Sequence, residues 1–143
     1  MARHPGPWAW NLEGIGCVTG PDDLVVDSVT LHPPTAGLAL TGWGGASRTR
    51  PVRTPLAVFP MGHRSLGSFG FDNLPWTSHC PHGDEQFAVA LALTGRSPGT
   101  TAGVDLNFTN GTSLWIPVGM GLCWHWCPKG LTQQVMDAID AQR

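Results

Sequence analysis

At 143 residues the chain is the size of one domain, with room for a single hydrophobic core. Charged residues make up only 13% of it, so 19 Gly, 13 Pro and the hydroxyl residues must build much of the surface, and long helices are disfavoured. Eight basic against ten acidic residues leave a formal net charge of -2, which gives no electrostatic footprint for nucleic acid or an anionic membrane surface.

Residues 1–11 read as an irregular arm ahead of a single β-rich domain spanning 12–143. Pro5 and Pro7 forbid a regular helix there, and the start has no apolar signal core. No window of about eighteen apolar residues occurs anywhere, so no transmembrane segment is expected. The chain holds seven Trp, five Phe and no Tyr. An indole in water is unfavourable, which makes Trp8 and Trp10 in the Pro-rich arm candidates for docking on a protein partner or a second protomer.

The domain opens with strand-like character over residues 12–18 and a break at residues 20–23. Residues 24–31 are rich in β-branched side chains and bounded by turn signals, which predicts a strand that Pro33-Pro34 ends. Residues 37–43 alternate apolar and small residues and give the next strand. Arg48, Arg50 and Arg53 then concentrate basic charge in one Ser/Thr/Pro-rich loop; a solvated loop is the plain account, a contact patch for an anionic partner the sharper one. Residues 56–59, between two prolines, suit an edge strand. Residues 61–85 lack periodicity and read as a long loop, of the kind that often carries function. Residues 86–94 alternate Phe87, Val89, Leu91 and Leu93 with Ala, the pattern of a strand buried on both faces. Residues 95–100 read as a turn or loop. Strands at 103–108 and 113–118 flank Asn110-Gly111, the strongest short hairpin signal. Residues 131–141 place Leu131, Val135, Ala138 and Ile139 at helical spacing, giving one short terminal amphipathic helix. Seven or so strands and a late helix predict an all-β fold, an antiparallel Greek-key (immunoglobulin-like) sandwich, with a small β-barrel as the alternative.

The four cysteines, Cys17, Cys80, Cys123 and Cys127, are even in number and suit two disulfides in an oxidising compartment. The preferred pairing is Cys17–Cys80 with Cys123–Cys127; Cys17–Cys123 with Cys80–Cys127 is the other option. An extended Cys123-Trp-His-Trp-Cys127 would hold its ends roughly 13 Å apart, beyond disulfide reach, so the short bridge requires a turn. The alternative use of these residues is a zinc or copper site built from Cys80, His82, Cys123, His125 and Cys127, since imidazole and thiolate suit both metals. Met61, Met120, His63 and His79 extend the copper version, and a His/Cys/Met cluster near the last strands resembles cupredoxins in outline. That family's final Cys…His…Met loop spacing is missing, so the first expectation is no cofactor.

Enzyme signatures are scarce. Gly-x-Ser-x-Gly, the phosphate-binding loop and His-Glu-x-x-His are all missing, and adjacent Asp84 and Glu85 would point to opposite faces of a strand. A Cys80 nucleophile paired with His79 or His82 is conceivable, but a disulfide is the simpler use of that cysteine. Asn107-Phe-Thr109 and Asn110-Gly-Thr112 are sequons that matter only in a eukaryotic secretory pathway. No catalytic residue is assigned.

Several motifs recur in one order: Cys17, Leu24-Val-Val-x-x-Val29, Gly37-Leu-x-Leu-Thr-Gly42, Leu66-Gly67 and His79-Cys80. The strand 87–93, Gly103-Val-Asp-Leu-Asn-Phe108 and Leu122-Cys123 follow. Over residues 12–123 this order resembles small envelope-anchored or secreted β-sandwich proteins of high-GC Gram-positive bacteria. The resemblance implies an extracytoplasmic protein and carries no activity with it. The chain departs from the pattern in lacking a preceding signal or membrane helix and in adding Cys127 and the terminal helix. The expectation is therefore a binding or assembly module, an accessory subunit of a cell-envelope or surface complex, neighbouring a membrane complex without entering the bilayer. A metal-binding protein is the rival expectation.

Overall fold

The computed structural model describes residues 6–12, 24–46, 57–72, 76–78 and 86–143. In chain order the elements are β1 (Trp8–Asn11), β2 (Leu24–Leu31), β3 (Thr35–Ala36), β4 (Leu38–Ala46) and β5 (Val58–Pro60). A 3-10 turn (Leu66–Phe69), β6 (Phe71–Asp72), β7 (Trp76–Ser78) and β8 (Phe87–Leu93) follow. The chain continues through β9 (Gly99–Thr101), β10 (Val104–Phe108), β11 (Ser113–Ile116), β12 (Met120–Leu122) and α1 (Leu131–Asp140). The protein is thus mostly β with one short C-terminal helix among the described residues. That helix is too short to cross a membrane.

Among the described residues three sheets form, and every strand pair in them is antiparallel: β5-β1-β8-β4-β6, β11-β10-β2-β7 and β12-β9-β3. Among the described residues each sheet keeps two edges and none closes into a barrel, so the barrel alternative falls. One apolar cluster joins all three sheets: Phe87, Val89 and Leu91 from the first, Val29 and Leu106 from the second, Leu122 from the third.

The alternation in β8 sets this arrangement. Phe87, Val89 and Leu91 turn to the shared core, while Ala88 and Ala90 turn to the other face. Their small side chains let residues 59–71 lie against that face, and Ala9, Phe59, Met61, Leu66, Phe69 and Phe71 form a second cluster there. Two irregularities decide which residues point inward. In β4 the register with β8 shifts between Leu40 and Gly42, so Leu40 and Trp43 both pack against the shared core and Gly42 lies opposite Ala90. In the pairing of β2 with β10, Val29 faces Leu106 and Val26 faces Phe108, a slip of one residue at Asp27 that keeps both valines buried.

Several expectations hold: residues 24–31 are β2, β5 is an edge strand, β8 is central, and α1 buries Val135 and Ile139. The β10–β11 hairpin turns at Asn110-Gly111 as expected. There Gly111 adopts φ +87, Phe108 N–H donates to Thr112 O at 2.8 Å, and Asn110 Oδ1 accepts from Thr112 N–H at 3.0 Å.

Other readings are corrected. Residues 8–11 are no arm: β1 lies between β5 and β8, with Ala9 opposite both Phe59 and Ala90. Trp10 is consequently a core side chain, 7% exposed, and Trp8 packs half-buried against the same cluster, which removes both from the role of free surface anchors. The stretch 61–85 is no single loop, since it contains the 3-10 turn, β6 and β7. Gly99 and Thr100, expected within a turn or loop over residues 95–100, belong to β9, the central strand of the smallest sheet. The strand expected over residues 12–18 falls, after Leu12, outside the described residues.

Candidate binding surface

The smallest sheet and α1 hold the most distinctive surface. Strand β12 is fully buried, and its burial continues into Cys123, which is 0% exposed. The chain then turns back sharply enough to bring Cys123 and Cys127 to a Cα–Cα distance of 5.3 Å, and the two are joined as a disulfide. Pro128 and Gly130 follow, with Gly130 at φ +86, and Leu131 N–H donates to Pro128 O as α1 begins. The five-residue ring is therefore clamped between a buried strand and a packed helix.

Inside that ring the side chains diverge. Trp124 is half-buried, and the Arg96 guanidinium carbon sits 5.4 Å from its ring centroid, a cation–π contact. His125 is exposed and meets Trp124 edge-on at 6.0 Å. Trp126 is 69% exposed, against 48% for Leu114 and 43% for Met136, the other exposed large apolar side chains among the described residues. A disulfide-closed turn thus displays an indole, with Arg96 lying over Trp124 of the same turn and exposed Lys129 following Cys127 in the chain. The ring removes conformational freedom from the tip before any partner arrives, which lowers the ordering cost of binding.

The bridge also acts on the sequence-derived sites. It fixes one half of the preferred pairing and excludes the Cys17–Cys123 with Cys80–Cys127 option. Cys17 and Cys80 lie outside the described residues. It also takes both Cys123 and Cys127 out of the expected metal-ligand set, because a disulfide sulfur is no thiolate. His125 remains exposed on the tip, while His82 lies outside the described residues, as do His79, Asp84 and Glu85. Met61 and Met120 are buried in two different clusters and His63 is exposed, so the copper grouping is not assembled from them. Arg48, Arg50 and Arg53 fall outside the described residues. No group of three or more His, Cys, Asp or Glu suited to a metal occurs among the described ones.

One polar cluster escaped the sequence reading. His32 Nδ1 donates to Asp105 Oδ1 at 2.7 Å, its Nε2 lies 2.7 Å from Gln142 Oε1, and its ring stacks on Trp115 at 4.4 Å. Trp115 Nε1 donates to Ala102 O at 3.1 Å, and Gln142 Nε2 to Pro33 O at 2.8 Å. These contacts pin the C-terminal turn to the end of β2 and the outer face of β10–β11. Their role is to hold α1, and so the far side of the disulfide tip, in place. The partners lie 73 and 110 residues apart in sequence, and the only local sign was a polar Asp105 between the inward-facing Val104 and Leu106.

Comparison with protein-family models, curated proteins and solved structures finds no match to this chain.

Proposed function

We propose that this protein is a binding or assembly module of the extracytoplasmic space, an accessory subunit of an envelope or surface complex, and that the turn 123–127 is its contact point. The observation that carries the reading is Trp126, 69% exposed on a tip that the Cys123–Cys127 bridge holds rigid. Large aromatic side chains presented on preorganised supports supply a disproportionate share of interface energy. The neighbouring Arg96 and Lys129 favour a partner whose apolar pocket is rimmed by acidic groups. A disulfide at a surface turn supports an oxidising compartment. The fold in this reading is a Greek-key sandwich, a reading supported by antiparallel pairing in the described sheets and by the apolar cluster packed between them. No catalytic residue and no cofactor are assigned.

The test places a photo-crosslinking amino acid at position 126, and for comparison at the exposed Thr132, in cells that make the protein naturally. Position 126 is expected to form a covalent adduct with one defined envelope protein, or with a second copy of the chain, and position 132 is not. Equal yields from both positions, or none from 126, would overturn the proposal.

A further inference from the structure

The outer face of the five-stranded sheet holds a cavity of about 470 Å³, a volume typical of small-molecule sites. Its origin lies in the β4 irregularity. The register shift puts Gly42 opposite Ala90, and two positions with little or no side chain leave room between the sheet and the 61–71 segment there. Met61, Leu66 and Phe71 rise around that floor, and all three are buried against it. The lining is apolar except at the mouth, where Thr41, Arg64 and Ser65 are exposed.

Arg64 is the informative group. Its guanidinium carbon sits 5.5 Å from the centroid of Phe69, whose own ring packs at 4.7 Å against Phe59. The side chain is thereby held at the rim by an aromatic stack. A cation fixed at the mouth of an apolar hollow is complementary to a molecule with one anionic head and a compact hydrocarbon or aromatic body.

We propose that this cavity binds a small amphipathic anion, its head on Arg64 and Ser65 and its apolar body on the Gly42–Ala90 floor. The site is separate from the tip at Trp126 and stands whether or not that tip binds a partner. The test titrates the full chain with decanoate and with decanol, both below aggregation, using calorimetry and amide chemical shifts. Decanoate is expected to saturate at one site, with shifts centred on residues 41–43, 61–71 and 90. Arg64→Gln, at an exposed position, should weaken decanoate by about fivefold and change decanol by less than about twofold. Gly42→Val should weaken both by at least about tenfold. A Cβ at Gly42 meets only Leu66 at 3.6 Å and Ala90 at 3.9 Å, ordinary contacts, so the added bulk enters the cavity rather than the backbone. A lack of saturable binding, shifts centred elsewhere, or decanoate affinity indifferent to Arg64→Gln would each overturn the assignment.

Discussion

Replacing Trp10 by Ala tests whether the first residues belong to the core. Trp10 is 7% exposed, sits on β1 opposite Val89 of β8 and Val58 of β5, and belongs to the cluster shared by all three sheets. A buried Trp removes about 200 Å² from water, worth about 5 kcal/mol at about 25 cal/mol per Å² as an upper bound. Alanine keeps a fraction of that, and core Trp→Ala changes cost about 3–5 kcal/mol. With an unfolding entropy of about 2.1 cal/mol/K per residue, a chain of this length loses about 3 °C of Tm per kcal/mol, so the expected drop is about 10–15 °C. Thermal melts followed by far-UV circular dichroism, with urea unfolding as a second measure, would read it. Trp8→Ala, at a half-buried position, should fall by less. A Tm change below about 3 °C for Trp10→Ala would mean that β1 does not insert between β5 and β8, and the account of the five-stranded sheet would fail.

Two further changes probe other parts of the fold. Gly103 holds φ +128, and a Cβ there would collide with the Ile116 carbonyl oxygen, so Gly103→Ala should cost at least about 3 kcal/mol in urea unfolding; a neutral result would contradict the β9-to-β10 crossing. Converting Cys123 and Cys127 together to Ala opens a five-residue ring, worth about 2 kcal/mol on the chain-entropy model, and should lower Tm by about 6 °C while added chelator leaves the parent's Tm unchanged. A parent protein that melts earlier in chelator and is indifferent to reducing agent would return the cysteines to metal binding.

What the sequence determined by itself was governed by near neighbours. The Asn110-Gly111 turn, the β-branched run of β2, the Phe/Ala alternation of β8 and the helical spacing of α1 are local patterns, and each formed as its residues dictate. So was the prospect of a short Cys123–Cys127 bridge, because Pro128 and Gly130 permit the turn it needs. Tertiary structure alone decided which face each strand buries. The shift at Leu40/Gly42 reverses the side of every later β4 residue relative to a regular strand, and nothing in the local alternation of that segment marks it. The same shift puts Gly42 over Ala90 and so creates the cavity beneath Arg64. Trp8 and Trp10 read equally well as an exposed arm or a buried strand until β5 and β8, about 50 and 80 residues further on, supply hydrogen-bond partners on both sides. His32, Asp105 and Gln142 meet because three chain segments end at one corner of the fold. Local pattern sets which conformation a segment adopts; which neighbour pays its desolvation is settled only when distant segments pack.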